Sequence, residues 1–585
     1  MWYNEGMTPE KLQELLADAI SKLHPSSHVL STDIDVKRPR NSNFGDWAIN
    51  TAMKYYKQLG YKNPHEAASV FVEQISNFPG VKSAQIEGPG FINIVLDTAS
   101  GATVVRDILK EGTNFGRTQV LKNTRINLEF VSANPTGPLH IGGVRWAALG
   151  DALARILEFT GAKVEREYYF NDHGLQIERF ARSLVERANG REAPADGYGG
   201  EYITQIANQV VENAKRDGLD ILALDEGVAS ISEAEIRSGS KPTNAKEIEE
   251  FRSRGVDLMF PQIKKSLEDF GVNFDRFFHE QSLYDDGKVD NAIKKLALAG
   301  DIYEKDGAKW VATSKYGDDK DRVVVKSDGD EAYFAADIAY YLEKRTRADV
   351  LIYILGADHG GYIGRLKAIS WAFGDDADKQ LRVLLGQMVN LVKNGEPVKL
   401  SKRAGNIITI DDLVDAVGVD AARYSLVRSS HDTPLELDLN LLASRVNENP
   451  VYYVQYAHAR TQSVLRNAAT IMNCCEQELV KSSEQITDNQ LQLLDHETET
   501  VLVGILASFS SSVQAASSLM QPHRIARYAE ELAAAYHKWY SACRVLPSHD
   551  VSKDLSSARL ALNLVTGQLL KQSLSLLGVT APDRM

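Results

Sequence analysis

Apolar positions at the start of the chain recur at helical spacing, with Leu12, Leu15, Leu16, Ala19 and Ile20 forming a 3.6-residue stripe. Thr8 suits the N-cap of that helix, and Pro9 suits its first turn, where a missing N–H costs nothing. A second helical stretch is expected over about 46–60, and Phe91-Ile-Asn-Ile-Val-Leu96 reads as a strand. Lys110-Glu-Gly-Thr-Asn-Phe-Gly116 reads as a linker that closes a small α/β domain near residue 120. Strand-like and helix-like runs then alternate. Strands are expected at 125–131, 163–169, 350–356 and 382–389, and helices near 143–160 and 334–346, which together predict a parallel sheet covered by helices. Residues 187–260 are rich in charge, Gly and Ala, with helical patterns around 201–216 and 245–268. They read as an insertion, reaching to about 320, between two halves of that sheet. From Asn449 the pattern is almost wholly helical: Asn449-Pro450 makes a cap and an N1 proline, and Leu560, Leu562, Leu569, Leu570, Leu574 and Leu577 mark the last helices. The polar run Ser482-Ser-Glu-Gln-Ile-Thr-Asp488 reads as a loop. The fold class is therefore multidomain α/β, with an N-terminal α/β domain at 1–120, a parallel-sheet domain at 121–445 and an all-α bundle at 446–585.

Composition narrows this picture only a little. At 585 residues the chain has room for three to five domains of about 150 residues each. Its 43% hydrophobic and 25% charged residues are those of an ordinary globular protein. No window approaches the ~18 apolar residues that span a bilayer, so no membrane partner is expected. Met1-Trp-Tyr-Asn-Glu-Gly6 lacks the basic-then-apolar layout of a secretory signal. Three cysteines (Cys474, Cys475, Cys543) make no disulfide framework, and no Cys-x-x-Cys pair suggests zinc. They are expected as buried filler in a reducing cytoplasm, and no protein-held metal is expected.

The chemistry lies in two short segments far apart in the chain. The first is Ser132-Ala-Asn-Pro-Thr-Gly-Pro-Leu-His-Ile-Gly-Gly143, placed between the strand-like Ile126–Val131 and a helix-like run with Leu149, Leu153, Ile156 and Leu157 on one face. Such a Gly- and Pro-containing loop lets a phosphate-bearing ligand approach backbone N–H groups at a helix N-terminus. The second is Val398-Lys-Leu-Ser-Lys-Arg403, which follows the hairpin signal Lys393-Asn-Gly-Glu-Pro397. Lys399 and Lys402 supply the two ammonium groups that a reaction expelling pyrophosphate needs as charge grows on the leaving group. Tyr333 and Asp337 stand at i and i+4, on one helical face.

These segments resemble the "HIGH" and "KMSKS" motifs of class I aminoacyl-tRNA synthetases, whose catalytic domain is Rossmann-like. Gly45-Asp-Trp-Ala-Ile-Asn50, Gly88-Pro-Gly-Phe-Ile-Asn93, Tyr333-Phe-Ala-Ala-Asp337, Asn449–Arg460 and Pro582-Asp-Arg-Met585 are similar to the arginyl-tRNA synthetase family in particular. The resemblance runs nearly end to end. It implies arginine–tRNA ligase activity: L-arginine and ATP form an adenylate, and arginine passes to the 2′-hydroxyl of the terminal adenosine of tRNA(Arg), with Mg2+ on the phosphates. It implies catalytic roles for His140, Lys399 and Lys402, and ATP contacts from Gly142, Gly143, Asp358, His359, Gln387, Met388, Val389 and Ser401. The motif region comprises Ala133, Asn134, Pro135, Thr136, Gly137, Pro138, Leu139, His140 and Ile141 with its two glycines. Gly143 departs from the pattern, standing where the family's second motif His lies. Some members lack the second lysine and carry a compensating lysine three positions before the first His; here that position is Gly137 and Lys402 is present.

Arginine recognition calls for carboxylates that match a planar guanidinium in charge and fork geometry. Asp337 with Tyr333 is the expected main reader, Glu129 the second carboxylate, and Ser132 and Asn134 the holders of the α-amino and carboxylate groups. For tRNA the resemblance implies Phe91 and Asn93 at the D-arm, and aromatic and basic residues of the terminal domain at the anticodon. Those are Tyr452, Tyr453, Gln455, Tyr456 and Arg460, with Arg584 and Met585 close by. A net charge of −13 requires these contacts to be local basic tracks on an acidic body. A cytoplasmic monomer is expected, with activation dependent on bound tRNA. The absence of Cys/His zinc spacing and the presence of Tyr333 and Asp337 weigh against the cysteinyl enzyme. Retention of His140, Lys399 and Lys402 weighs against a non-catalytic paralogue, and the size of the helical C-terminal region against a small-molecule nucleotidyltransferase.

Overall fold

The computed structural model describes residues 9–37, 47–96, 98–172, 174–224, 245–398 and 409–585. Two compact units emerge, one formed by Gln119–Ser444 and the other by Met1–Thr118 together with Arg445–Met585.

The first unit is built on a five-stranded sheet. Its strands are β1 (Arg125–Glu129), β2 (Lys163–Phe170), β3 (Arg276–His279), β4 (Val350–Gly356) and β5 (Leu381–Gly386), in the spatial order β5-β4-β1-β2-β3 and all parallel. Strand order reverses between β1 and β4, and ligands of such sheets bind outside the carboxyl ends of the strands at that point. Four of these strands follow the expected pattern, except that β5 ends at Gly386 rather than 389 and a separate strand covers Val389–Lys393. The stretch read as one insertion returns to the parent sheet at β3. This four-residue edge strand is too short to stand out in a charged, helical surrounding. Before it come, among the described residues, the helices Leu175–Ala188, Glu201–Arg216 and Ala245–Asp269; after it comes a small antiparallel sheet of Ile302–Lys305, Ala308–Val311 and Arg322–Val325.

The sheet has two different faces because side chains alternate along each strand. On one face Leu128 and Phe130 pack against helix α1 (Ile141–Phe159), closely enough that a Cβ on Gly150 would stand 2.3 Å from the Phe130 ring. On the other face Asn127, Glu129, Glu165, Glu167, Tyr169 and Tyr353 meet helix α2 (Tyr333–Lys344), which turns Tyr340 and Lys344 toward them.

In the second unit, the N-terminal sheet pairs Trp47–Ile49 with Phe91–Leu96, Ile94 lying opposite Trp47. The helix expected over 46–60 is thus a short strand followed by the helix Thr51–Tyr55. Pro9 does open the first helix, Pro9–Leu23; its expected cap Thr8 lies outside the described residues. The expected linker is also packed: Phe115 is buried and stacks on Phe509 at 6.3 Å, and Gln572 donates to the carbonyls of Thr113 and Phe115. The terminal helices run from Pro450–Met472 to Lys553–Leu576, and the expected loop at 482–488 is helical as far as Glu484. Of the cysteines only Cys543 is buried; Cys475 is exposed and caps a helix. Glu497–Ser518 is the one stretch among the described residues long and apolar enough to cross a bilayer. It consists of two helices meeting at Ser508, half buried in the fold as core helices are.

Candidate active site

The first motif forms the turn from β1 into α1. Val131 and Ser132 adopt φ values of 69° and 41°, a left-handed conformation that a β-branched residue resists. Hydrogen bonds hold this turn: the Ser132 hydroxyl accepts from the Tyr169 N–H at 3.1 Å, and the Tyr168 hydroxyl both accepts from Ala133 N–H and donates to its carbonyl. Burial raises the Tyr168 hydroxyl pKa, so it stays protonated and can do both. Further along, Tyr202 of the insertion donates to the Thr136 carbonyl at 3.1 Å, and its ring lies beside Gly137.

His140 is the N-cap of α1, its Nδ1 accepting from the Gly142 N–H at 3.2 Å. That bond selects the tautomer with the proton on Nε2, so the capping role and a donor role toward phosphate are compatible. At Gly142 a Cβ would stand 3.0 Å from the imidazole, close enough to press on the ring; at Gly143 a Cβ would meet nothing closer than 3.8 Å. The departure from the family's second His therefore leaves room rather than filling a steric need.

The second motif segment, with Lys399, Ser401 and Lys402, lies outside the described residues. Both its flanks are placed. Asn394 and Gly395 adopt φ values of 55° and 77° in the expected hairpin between Val389–Lys393 and Glu396–Pro397, and Val398 N–H donates to Leu391. On the far side Thr409 bridges to His140, and Ile410 N–H donates to the Leu139 carbonyl at 3.0 Å. Thr409 and Ile410 thus lie against the first motif.

Gln387, Met388 and Val389 leave β5 beside this point, Met388 exposed and Val389 buried. Arg145 of α1, wholly buried, holds them by donating to the carbonyls of Gln387, Ser430 and Thr433 at 2.8–2.9 Å. Burial lowers its pKa to about 10, with Asp432 opposing, so it remains cationic at neutral pH. Asp358 and His359 follow β4 and are exposed, their side chains 3.6 Å apart.

Beside this mouth lies an acidic recess. Asp337, one turn into α2, is only partly accessible and accepts from the Tyr362 hydroxyl. Burial pushes its carboxyl up to about 6 despite the Tyr362 hydrogen bond and nearby Arg365, and Glu129 adds to the rise. Glu280, just beyond β3, is buried and pushed up to about 8, first by burial and then by Asp337, while a hydrogen bond from Tyr169 opposes. Tyr169 senses Glu280, Asp337 and Glu129 together. Tyr333 is exposed at the rim, its ring 3.4 Å from the point a Cβ on Gly174 would occupy. Glu129 is buried and already engaged: its Oε2 accepts from Lys344 Nζ at 2.5 Å and lies 2.9 Å from the Tyr340 hydroxyl. Glu280 was missed in the sequence because it arrives from the unrecognised edge strand. Carboxylates that desolvation holds above their usual range form a site that a cation would relieve.

In the other unit Tyr452, Tyr456 and Arg460 occupy one stripe of the helix Pro450–Met472. The two rings stack at 5.9 Å, and Arg460 lies over Tyr456 at 4.7 Å and Tyr540 at 5.1 Å. His537, lowered to about 4 by burial and by Arg460, is neutral and meets an Arg460 nitrogen at 2.9 Å, while its ring packs on Tyr453. Gln455 turns to a neighbouring face, where it donates to the Thr580 carbonyl, and Arg466 donates to that of Asp583. The chain end is thereby laid along this helix, with Met585 exposed. Phe91 is exposed and Asn93 part-buried on their strand, Asn93 facing Ala48 and Gln85 across the sheet.

Family models match almost the whole chain: an arginyl tRNA synthetase N terminal domain at residues 10–96, a class I (R) tRNA synthetase catalytic domain at 104–464, and a DALR anticodon binding domain at 454–585. The arginine–tRNA ligase of Bifidobacterium adolescentis is 48% identical over 612 aligned positions, spanning 99% of this chain and all of that protein. The chain belongs to the arginyl-tRNA synthetase family. Among solved structures, a Campylobacter jejuni chain assigned as an arginyl-tRNA synthetase is 32% identical with a TM-score of 0.70, covering 84% of this chain and all of its own. The Thermus thermophilus arginyl-tRNA synthetase shares the fold at a TM-score of 0.77 and 20% identity, covering 99% of this chain and all of its own. As a member of this family the chain is a class I ligase, with the multidomain α/β fold expected from its sequence.

Proposed function

We propose that the crevice at the carboxyl ends of β1 and β4 activates L-arginine with ATP and passes it to the 2′-hydroxyl of the terminal adenosine of tRNA(Arg). The acidic recess carries this reading, because Asp337, Glu280 and Glu129 gather beside the first motif in an environment that favours a bound cation. A guanidinium stays protonated at any physiological pH and offers five donors in a flat fork. Asp337 and Glu280 face that fork, Tyr333 covers it, and Ser132 and Asn134 hold the α-amino and carboxylate groups.

The arginine carboxylate attacks the α-phosphate of ATP, and pyrophosphate leaves. The Nε2–H of His140 donates to the phosphate as charge builds there, helped by the dipole of α1. Lys399 and Lys402, with Ser401, close over the β- and γ-phosphates, and magnesium enters as the counter-ion of ATP. Backbone groups of Gln387, Met388 and Val389, braced by Arg145, hold adenine, and Asp358 and His359 meet the ribose. No side-chain nucleophile is needed; positioning and charge stabilisation do the work. Phe91 and Asn93 meet the D-arm, and Tyr452, Tyr456, Arg460 and Met585 the anticodon loop. The enzyme acts as a cytoplasmic monomer, and arginine activation awaits bound tRNA.

Charging bulk tRNA with each labelled amino acid, with and without ribonuclease, tests this directly. Arginine alone should label acid-precipitable, ribonuclease-sensitive material, and equal labelling by a second amino acid would refute it. The His140→Ala variant should slow adenylate formation about a hundredfold while unfolding at nearly the parent temperature.

A further inference from the structure

The stripe that begins with Tyr333 and Asp337 continues along α2 through Tyr340 to Lys344, and Arg347 follows just beyond its end. Lys344 is wholly buried, and its ammonium sits 2.5 Å from Glu129 Oε2, 3.8 Å from Glu167 Oε1 and 3.9 Å from the centre of the Tyr353 ring. The Tyr340 hydroxyl stands between the two carboxylates: it donates its one proton to Glu167 Oε1 at 2.6 Å and lies 2.9 Å from the same Glu129 oxygen. Arg347 and Arg276 meet the other oxygen of Glu167 at 2.6 and 3.5 Å. Among the described residues, every hydrogen bond to the Glu129 carboxylate ends on Oε2.

We propose that Lys344 is a positioning residue for amino-acid recognition: its ammonium pins Oε2 of Glu129 and leaves Oε1 as the oxygen turned to the substrate. This rests on the reading of Glu129 as an arginine ligand. A carboxylate this buried needs a fixed counter-charge, and an ammonium at 2.5 Å that is itself held by Glu167 and the Tyr353 ring keeps that oxygen in place. Lys344 lies seven residues from Asp337, two turns or about 10 Å along one rigid helix. The helix that carries the guanidinium reader therefore also clamps the opposite carboxylate, and the two walls of the recess stay in register.

Aminoacylation by the full-length enzyme, with arginine and ATP varied separately, tests this in Lys344→Met, Glu129→Gln, the double variant and Tyr340→Phe. Lys344→Met should raise the KM for arginine roughly tenfold or more and leave that for ATP within about twofold of the parent. Acting through Glu129, it should add nothing to Glu129→Gln, so the double variant should match that single variant. Multiplying effects, or equal rises for ATP and arginine, would overturn the proposal and leave Lys344 a purely structural cation. Should Lys344→Met fail to fold, Tyr340→Phe keeps the charges but removes the donor to Glu167 Oε1, so that this oxygen draws the Lys344 ammonium away from Glu129. It should raise arginine KM about threefold, and an unchanged value would overturn the proposal. An unchanged arginine KM in Glu129→Gln sinks the ligand reading along with it. A raised KM there, with Lys344→Met silent, sinks this inference alone.

Discussion

The two ends of α2 face the same side of the same sheet, yet they treat buried carboxylates in opposite ways. At the far end, burial would lift Glu167, but Lys344, then Tyr340 and Arg347, outweigh it and hold the carboxyl below its usual value. Two turns away burial dominates, and Asp337 and Glu280 are pushed up to about 6 and about 8. The cations that settle the first cluster are part of the chain. The cation that would settle the second is, on the reading above, the substrate. A protein seldom leaves buried acids in so costly a state unless a ligand relieves it, and under the proposed function the contrast along one helix separates scaffold from site.

Exchanging charge for neutral amide at each end separates the two. Glu167→Gln strips the shared partner from Lys344 and Arg347, and should lower unfolding stability by about 3–5 kcal/mol, read from denaturant or thermal melts. Asp337→Asn should do the reverse, leaving the melt near the parent while arginine kcat/KM falls by about two to three orders of magnitude and the KM for ATP hardly moves. Equal effects on both substrates would break the assignment of Asp337 to the guanidinium.

The pH dependence follows from the same contrast. Guanidinium binding favours ionised carboxylates, so any proton resting on Asp337 or Glu280 in the empty recess must leave when arginine enters. With values of about 6 and about 8, the KM for arginine should fall as pH rises from 6 to 8 and level off above. The slope approaches tenfold per pH unit where one fully coupled group titrates. Calorimetry at pH 7 in buffers of different ionisation enthalpy should record proton release. Proton uptake, or a flat profile, would place the cation elsewhere.

Much of the proposed site is legible in the chain because its parts are local. The first motif, the Asn394–Gly395 turn and the Tyr333–Asp337 pair each declare themselves within a few residues. Glu280 does not, because only pairing of Phe278 with Tyr169 and His279 with Phe170 brings that segment to the recess. Lys344 was within reach: 333, 337, 340, 344 and 347 keep helical spacing, but a polar stripe is ordinarily a solvated face, and here it lies buried against an equally polar sheet. Trp47–Ile49 was misread because three residues carry too little periodicity, and its partner Phe91–Leu96 lies forty residues away. In each failure the deciding contact is distant in sequence.

The smallest expected effect probes the upper cluster most finely. The Tyr362 hydroxyl, kept protonated chiefly by burial and then by Asp337, donates to Asp337 and is the strongest influence holding that carboxyl down. In Tyr362→Phe the carboxyl should rise further, with Arg365 the remaining influence that holds it down. More of the recess is then protonated at pH 7, and arginine KM should increase by about three- to tenfold with ATP unaffected. Because the deficit is a proton, raising the pH should remove most of it. The variant's KM-against-pH curve should keep the parent's shape but sit at higher pH, converging above pH 8. If the two curves instead run parallel over the whole range, Tyr362 contributes packing alone, and the recess owes its poise to burial.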